Sequence, residues 1–200
     1  MVIIYQNEQE IEVSLEETNT LNTYFKLFFE NEVLLKKEEF KNHNLEYIYH
    51  YKQNGETTEA ACSVYKGSDT RFSIITQSVL NDRTLELWQD FDGGDLIFTY
   101  HILYDFNNHC ICKEYIDLET GKPVYEETEK YYYKDSSSDL DYIIKASYHS
   151  DASLNNLFYF KSVNDQFTDI EYNTEDDLVN LATELGIDYS ELKYYHNAFL

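Results

Sequence analysis

The sequence predicts a mainly β fold: an antiparallel meander of hairpins in a single extended or curved sheet, closed by two short C-terminal helices. Three observations predict it. Apolar and aromatic residues alternate with polar ones at a period of two, as in Leu96, Phe98, Tyr100, Ile102, Tyr104 and Phe106. Such a pattern marks a half-buried strand. Asn/Asp/Gly turn signals punctuate the chain at fairly even spacing, too short for parallel βαβ units. Twenty Tyr and twelve Phe, with six Gly and one Pro, also favour strands.

In chain order, residues 2–5 and 11–15 read as a first hairpin. Leu21, Tyr24, Phe25, Phe28 and Phe29 fit helical spacing, but a hairpin repeat claims the same residues. Residues 17–31 therefore stay open between helix and strand, with strand preferred. The repeat consists of an aromatic strand, a polar turn, and a second strand that ends in an aromatic residue. It is read in residues 24–42, 47–67, 85–107 and 111–135, and recurrence at this scale suggests an array. Asn54-Gly55 is a two-residue hairpin signal inside the second unit. Leu140, Tyr142, Ile144, Ala146 and Tyr148 form a further strand. Thr174-Glu175-Asp176-Asp177 opens a helix, since a Thr followed three residues later by an acid caps a helix start. Leu178, Leu181, Ala182 and Leu185 supply its apolar stripe and Gly186 its end. A second short helix is expected over residues 190–199, with Leu192, Tyr195 and Phe199 inward. The domain reading is a hairpin-meander domain over residues 1–172 and a helical appendage over 173–200, in one folding unit.

Charge bounds the function. The chain carries 38 acidic and 15 basic residues, a formal net charge of −23. The acids are spread along the whole sequence rather than held in one tail. Such a field repels nucleic acid and anionic membrane and attracts basic proteins. Three cysteines, Cys62, Cys110 and Cys112, are too few for a disulfide framework. The first ten residues lack the basic start and apolar run of a signal peptide, and no stretch approaches a membrane span, so the expected location is the cytoplasm. The low-Pro, Tyr- and Asn-rich texture reads as bacterial.

Chemistry-bearing motifs are sparse. Asp90, Asp92 and Asp95 surround a Gly-Gly turn; the cluster reads as a solvated hairpin turn before it reads as a Ca²⁺ loop. His109-Cys110-Ile111-Cys112 is half a zinc site at best. Neither a nucleophile elbow nor a phosphate-binding Gly loop is present. The expectation is no cofactor, no metal and no enzyme activity. Glu127, Glu129, Tyr131 and Tyr133, with Tyr125, are expected on one strand face, where Tyr rings and carboxylates could grip Lys and Arg side chains. The competing reading buries both tyrosines in the core. With Asp90, Asp92 and Asp95 these four are the candidate partner-binding residues. Glu175, Asp176 and Asp177 are assigned instead to the helix N-terminus, where acids complement the dipole.

The segments Phe28-Phe29-Glu30-Asn31, Lys36-Lys37-Glu38-Glu39-Phe40-Lys41-Asn42 and Leu45-Glu46-Tyr47-Ile48-Tyr49-His50-Tyr51-Lys52-Gln53-Asn54-Gly55-Glu56 carry a resemblance. They resemble the repetitive hairpin proteins that include MORN-like bacterial antitoxins and the immunity proteins of polymorphic toxin systems, over residues 24–135. The resemblance implies a protein–protein interaction: a small acidic antitoxin that binds and occludes a basic toxin domain, often a nuclease. It carries over no catalytic residue. The alternatives are a hydrolase or metal-binding enzyme using surface carboxylates, and a structural adaptor whose acidity only solvates it.

Overall fold

Two-residue turns with positive φ at both central positions set the meander. They occur at Asn31-Glu32 (φ 49° and 68°), Asn42-His43 (49° and 63°), Asn81-Asp82 (51° and 62°) and Gly93-Gly94 (59° and 94°). That backbone matches the right-handed twist of paired strands, and Asn and Gly reach it at low cost. The computed structural model describes residues 1–133, 144–163, 166–172 and 175–200. Among these, thirteen strands form one open sheet. They are β1 (Val2–Gln6), β2 (Glu12–Val13), β3 (Thr23–Glu30), β4 (Val33–Lys41), β5 (Asn44–Tyr51), β6 (Arg71–Leu80), β7 (Arg83–Asp92), β8 (Asp95–Tyr104), β9 (Cys110–Ile116), β10 (Pro123–Tyr132), β11 (Ile144–Tyr148), β12 (Leu154–Val163) and β13 (Gln166–Tyr172). From β3 to β13 the sheet order follows the chain order, and β1 lies between β3 and β2. The helices are α1 (Thr58–Val64), α2 (Glu175–Leu185) and α3 (Tyr189–Leu192). None is long and apolar enough to cross a membrane.

The mainly β meander with short C-terminal helices is thus observed. Residues 17–31 resolve into a 3-10 turn at Glu17–Thr20 followed by the strand β3. Sheet pairing decides there: all eight β3 residues pair with β4, and Gln6 through Val2 pair on the other side.

One hairpin expectation is overturned. Residues 47–67 do not form a hairpin. After β5 ends at Tyr51 the chain turns at Asn54-Gly55, passes through α1 and returns as β6, which pairs with β5 in parallel from Tyr47↔Arg71 to Tyr51↔Ile75. The cause is local. Thr57 caps α1 by accepting the Ala60 N–H, and Ala60 and Ala61 favour helix. Ala61 and Tyr65 then bury against Ile48, Phe72, Ile74 and Phe91.

The chain divides into two compact units, Met1–Ser78 with Glu86–Thr99, and Val79–Leu85 with Tyr100–Leu200. In the first, α1 covers the face of β5 and β6 that carries Ile48, Phe72 and Ile74. In the second, a row runs across the sheet through successive pairs Leu103↔Cys112, Cys112↔Lys130, Lys130↔Ala146 and Ala146↔Leu157. All five residues are buried. Leu178, Leu181, Ala182 and Leu185 of α2 and Leu192 of α3 join the core of Ile144, Ala146, Tyr148 and Leu157. Each such leucine contributes about 1.5–3 kcal/mol by burial.

Two further readings need correction. Leu96, Phe98 and Phe106 are exposed, whereas Leu103 on the alternate face is buried. Tyr100, on the expected face, is buried as well, so β8 buries residues of both faces. Phe199 is 55% exposed while its neighbour Ala198 is fully buried. The second helix is short, ending in a 3-10 turn at Lys193–Tyr195, so the helical phase expected for Phe199 is lost. The expected Thr174 cap and residues Leu140 and Tyr142 lie outside the described residues.

Candidate functional site

Strand register collects tyrosines on one face of the first unit. Tyr47, Tyr49 and Tyr51 of β5 alternate to one side, opposite Ile48 and His50. Their partners bring Arg71, Ser73 and Ile75 from β6 and Lys37 and Glu39 from β4 to the same side. The face is half-buried at Tyr47, Tyr49, Tyr51 and Trp88. Ring centroids stand 4.9 Å apart for Tyr47 and Tyr49 and 5.8 Å apart for Tyr49 and Trp88.

Three carboxylates of this face are held by neutral donors. Tyr49 donates to Glu39 Oε2 at 2.9 Å. Glu86 accepts from Trp88 Nε1 and from Gln77 Nε2, both at 2.8 Å. Asp90 accepts from Ser73 Oγ at 2.6 Å, which leaves Tyr47 as the donor to Ser73 at 2.8 Å. Among the described residues, none of Glu39, Glu86 and Asp90 enters an ion pair. The hydroxyls are firm donors. Burial pushes Tyr47 and Tyr51 up to about 12, with the Asp90 charge adding at Tyr47 and those of Glu86 and Glu10 at Tyr51. Burial and then the bond to Glu39 raise Tyr49 as well. The result is a fixed array of carboxylates between aromatic rings, half-buried at Glu39 and Asp90 and buried at Glu86. Lys37 and Arg71 are cations of the same side; the Lys37 Nζ lies 4.0 Å from the Phe25 ring centroid and 5.6 Å from that of Tyr49.

Of the candidate residues read from sequence, Asp90 belongs to this array. Asp92 sits at its margin in an ion pair with Arg71, 2.8 Å from Nη2. Asp95 is exposed at the start of β8, and its side chain enters no ion pair among the described residues. Among the described residues no group of three His, Cys, Asp or Glu is placed to hold a metal ion.

Glu127, Glu129, Tyr131 and Tyr133 lie in the second unit. Glu127 is exposed. Glu129 pairs with Lys145 and accepts from the Tyr131 hydroxyl. Burial works to raise the Glu129 carboxyl, but these bonds and the Lys145 and Lys113 charges hold it below the usual range. Its charge is therefore already countered. Tyr133 follows the end of β10; its hydroxyl donates to the Cys110 carbonyl at 3.0 Å and its ring stacks on His109 at 4.5 Å. Tyr125 does not share their face. The β9–β10 register shifts between Val124 and Glu129, and Tyr125 packs with Tyr132 against the core under the C-terminal helices. An irregular register breaks the period on which the expected face rested. Helix α2 includes Glu175, Asp176 and Asp177 at its first turn.

No family model matches the chain, and neither a curated protein nor a solved structure shows significant similarity to it.

Several groups escaped the sequence reading. Glu86 and Trp88 belong to β7, within the repeat read over residues 85–107, where neither residue type marks a site. His50 bridges Glu56, 3.1 Å from Nε2, and the Tyr65 hydroxyl, 2.9 Å from Nδ1. This acid–His–hydroxyl chain resembles a nucleophile relay in outline. However, burial pushes the Tyr65 phenol up to about 12, and its ring is buried against Phe72. It ties α1 to β5. Lys130 is fully buried, with Nζ donating to the carbonyls of Tyr194 and Phe199, each at 2.7 Å. A lysine in an alternating strand gives no sequence signal of that role.

Proposed function

We propose that the chain is an acidic protein of the immunity or antitoxin type, which binds a basic toxin domain and neutralises it by direct occlusion. The observation that carries this reading is the first-unit face, where Glu39, Glu86 and Asp90 are held by neutral tyrosine, tryptophan, glutamine and serine donors. The half-buried Glu39 and Asp90 are open to an incoming Lys or Arg, and the buried Glu86 adds its field behind them. The adjacent rings offer the cation a second attraction, worth about 0.5–2 kcal/mol depending on desolvation. A net charge of −23 supplies the long-range part. Complementary fields raise association rates toward about 10⁸–10⁹ M⁻¹s⁻¹ at low salt, and packed aromatic anchors slow dissociation. An inhibitor of a lethal enzyme needs both.

Affinity capture from the native cell, performed at low and at high salt, tests this. The expected result is one basic protein, retained at low salt and captured more slowly as salt rises. Recovery of no basic protein, or of a partner indifferent to salt, contradicts the proposal.

A further inference from the structure

A second recess has the opposite chemistry. In the second unit a cleft of about 260 Å³ is walled by tyrosines, among them Tyr131, Tyr133, Tyr194 and Tyr195, with Arg83 and Asp105 at its lining. This is below the roughly 300–1,000 Å³ of clefts that take drug-sized molecules, so it suits a small ligand. Its charged groups are not equally available. Asp105 is occupied: Oδ1 accepts the backbone N–H groups of Asn107 and His109, each at 2.8 Å, and Oδ2 faces His109 Nδ1 at 3.2 Å. Those bonds fix the turn between β8 and β9. Glu129, next to Tyr131, is paired with Lys145. Glu114, near Lys130, faces His101 Nδ1 at 3.0 Å.

Arg83 differs. Among the described residues of a chain with 38 acids, its guanidinium meets no carboxylate, and it lies 5.6 Å from the centroid of the Tyr194 ring. The buried Lys130 ammonium lies 3.6 Å from the same ring centroid and adds positive charge behind the wall. A cation entering the cleft would meet both; an anion would meet an unused planar fork of N–H donors. Guanidinium and carboxylate match in a bidentate pair, and flat tyrosine walls favour a flat ligand.

We propose that this cleft is a binding site for a small planar carboxylate, anchored by Arg83 and flanked by the tyrosine rings. The inference is independent of the basic-partner reading, since it concerns a different surface and the opposite charge.

Calorimetric titration of the full chain with benzoate, benzyl alcohol and benzylamine tests it. Benzoate is expected to bind saturably at one site, benzyl alcohol more weakly and benzylamine not at all. Arg83→Gln should weaken benzoate about tenfold or more, as expected for loss of a charged hydrogen-bonding partner. Arg83→Lys should give an intermediate loss, because charge remains without the fork. Lys122→Gln, which removes a cation on an exposed turn, should leave the affinity unchanged. Circular dichroism checks that the Arg83 variants are folded, and if Arg83→Gln is not, the Arg83→Lys variant decides. Absence of saturable benzoate binding, equal binding of benzylamine, or undiminished binding in the folded Arg83 variant overturns the proposal.

Discussion

Lys130 reaches from the buried row of the second unit to the backbone carbonyl of Tyr194, donating at 2.7 Å, and makes an equal bond to Phe199. A charged residue thus closes the C-terminal segment onto the sheet by bonding one carbonyl within the 3-10 turn and one beyond it. Replacing Lys130 with Met removes both bonds and leaves buried acceptors unsatisfied. The expected loss is about 2 kcal/mol after the relief of burying an ammonium is set against it. Urea denaturation at neutral pH measures it.

The same lysine makes stability depend on pH in a defined window. Burial pushes its ammonium down to about 8 from the ordinary 10.5, against the opposing pull of Cys112 and Glu114. The folded state therefore releases this proton before the unfolded state does, and stability rises as pH climbs from about 8 toward 10. Above 10 the raised tyrosines act in the other direction. Between about pH 7.5 and 9.5 the wild type should gain about 1–2 kcal/mol relative to Lys130→Met. Denaturation curves of both proteins at the two pH values show whether the gap widens.

Glu56 has the opposite sign. Burial raises its carboxyl, but the Gln53 N–H and His50 outweigh it and hold Glu56 below the ordinary 4.5. Its contribution is present above that value and lost as pH falls through the folded one. Glu56→Gln should cost under about 1 kcal/mol at neutral pH, for a partly exposed pair. The difference from wild type should vanish in acid, which paired denaturation curves at neutral and acidic pH would reveal.

Glu86 sits almost buried with two donors aimed at it, and Trp88, one of those donors, is the single tryptophan of the chain. Glu86→Ala should destabilise by about 1–3 kcal/mol, since both donors lose their acceptor. Trp88 emission should shift in the folded state, giving fluorescence a local readout separate from global unfolding.

Glu32 occupies a left-handed position, φ 68°, in the turn between β3 and β4. Glycine adopts that conformation without the cost a side chain carries there. Glu32→Gly should therefore raise stability by about 0.5 kcal/mol, and a thermal melt that falls instead would show that the side chain does something else in this turn.

Much of the fold was legible because two local signals agree. The Asn31-Glu32 and Asn81-Asp82 turns and the alternation in β5, β8 and β11 each predict strand pairing with the next segment. The β5–α1–β6 crossover was hidden because Asn54-Gly55 is an equally good hairpin signal; the decision falls to Ala61 and Tyr65, which bury only once β6 is in place. The binding face was legible in kind, as tyrosines mixed with carboxylates, but its members were only partly found. Asp90 was identifiable. Tyr47, Tyr49 and Tyr51 were visible as a strand, but Glu39 and Glu86 reach them only across strand pairs. At Glu129 the sequence hides Lys145, whose charge cancels the one expected to attract a partner.

In the proposed function, the carboxylates of the tyrosine face draw in a basic protein. Its most direct test is the association rate with the captured partner, followed by Trp88 fluorescence across a salt series, for wild type and for Glu39→Gln/Glu86→Gln/Asp90→Asn. The account predicts a wild-type rate that falls steeply with salt, and a variant that is slower at low salt and less sensitive to it. A folded variant that associates at the wild-type rate at every salt concentration would contradict it.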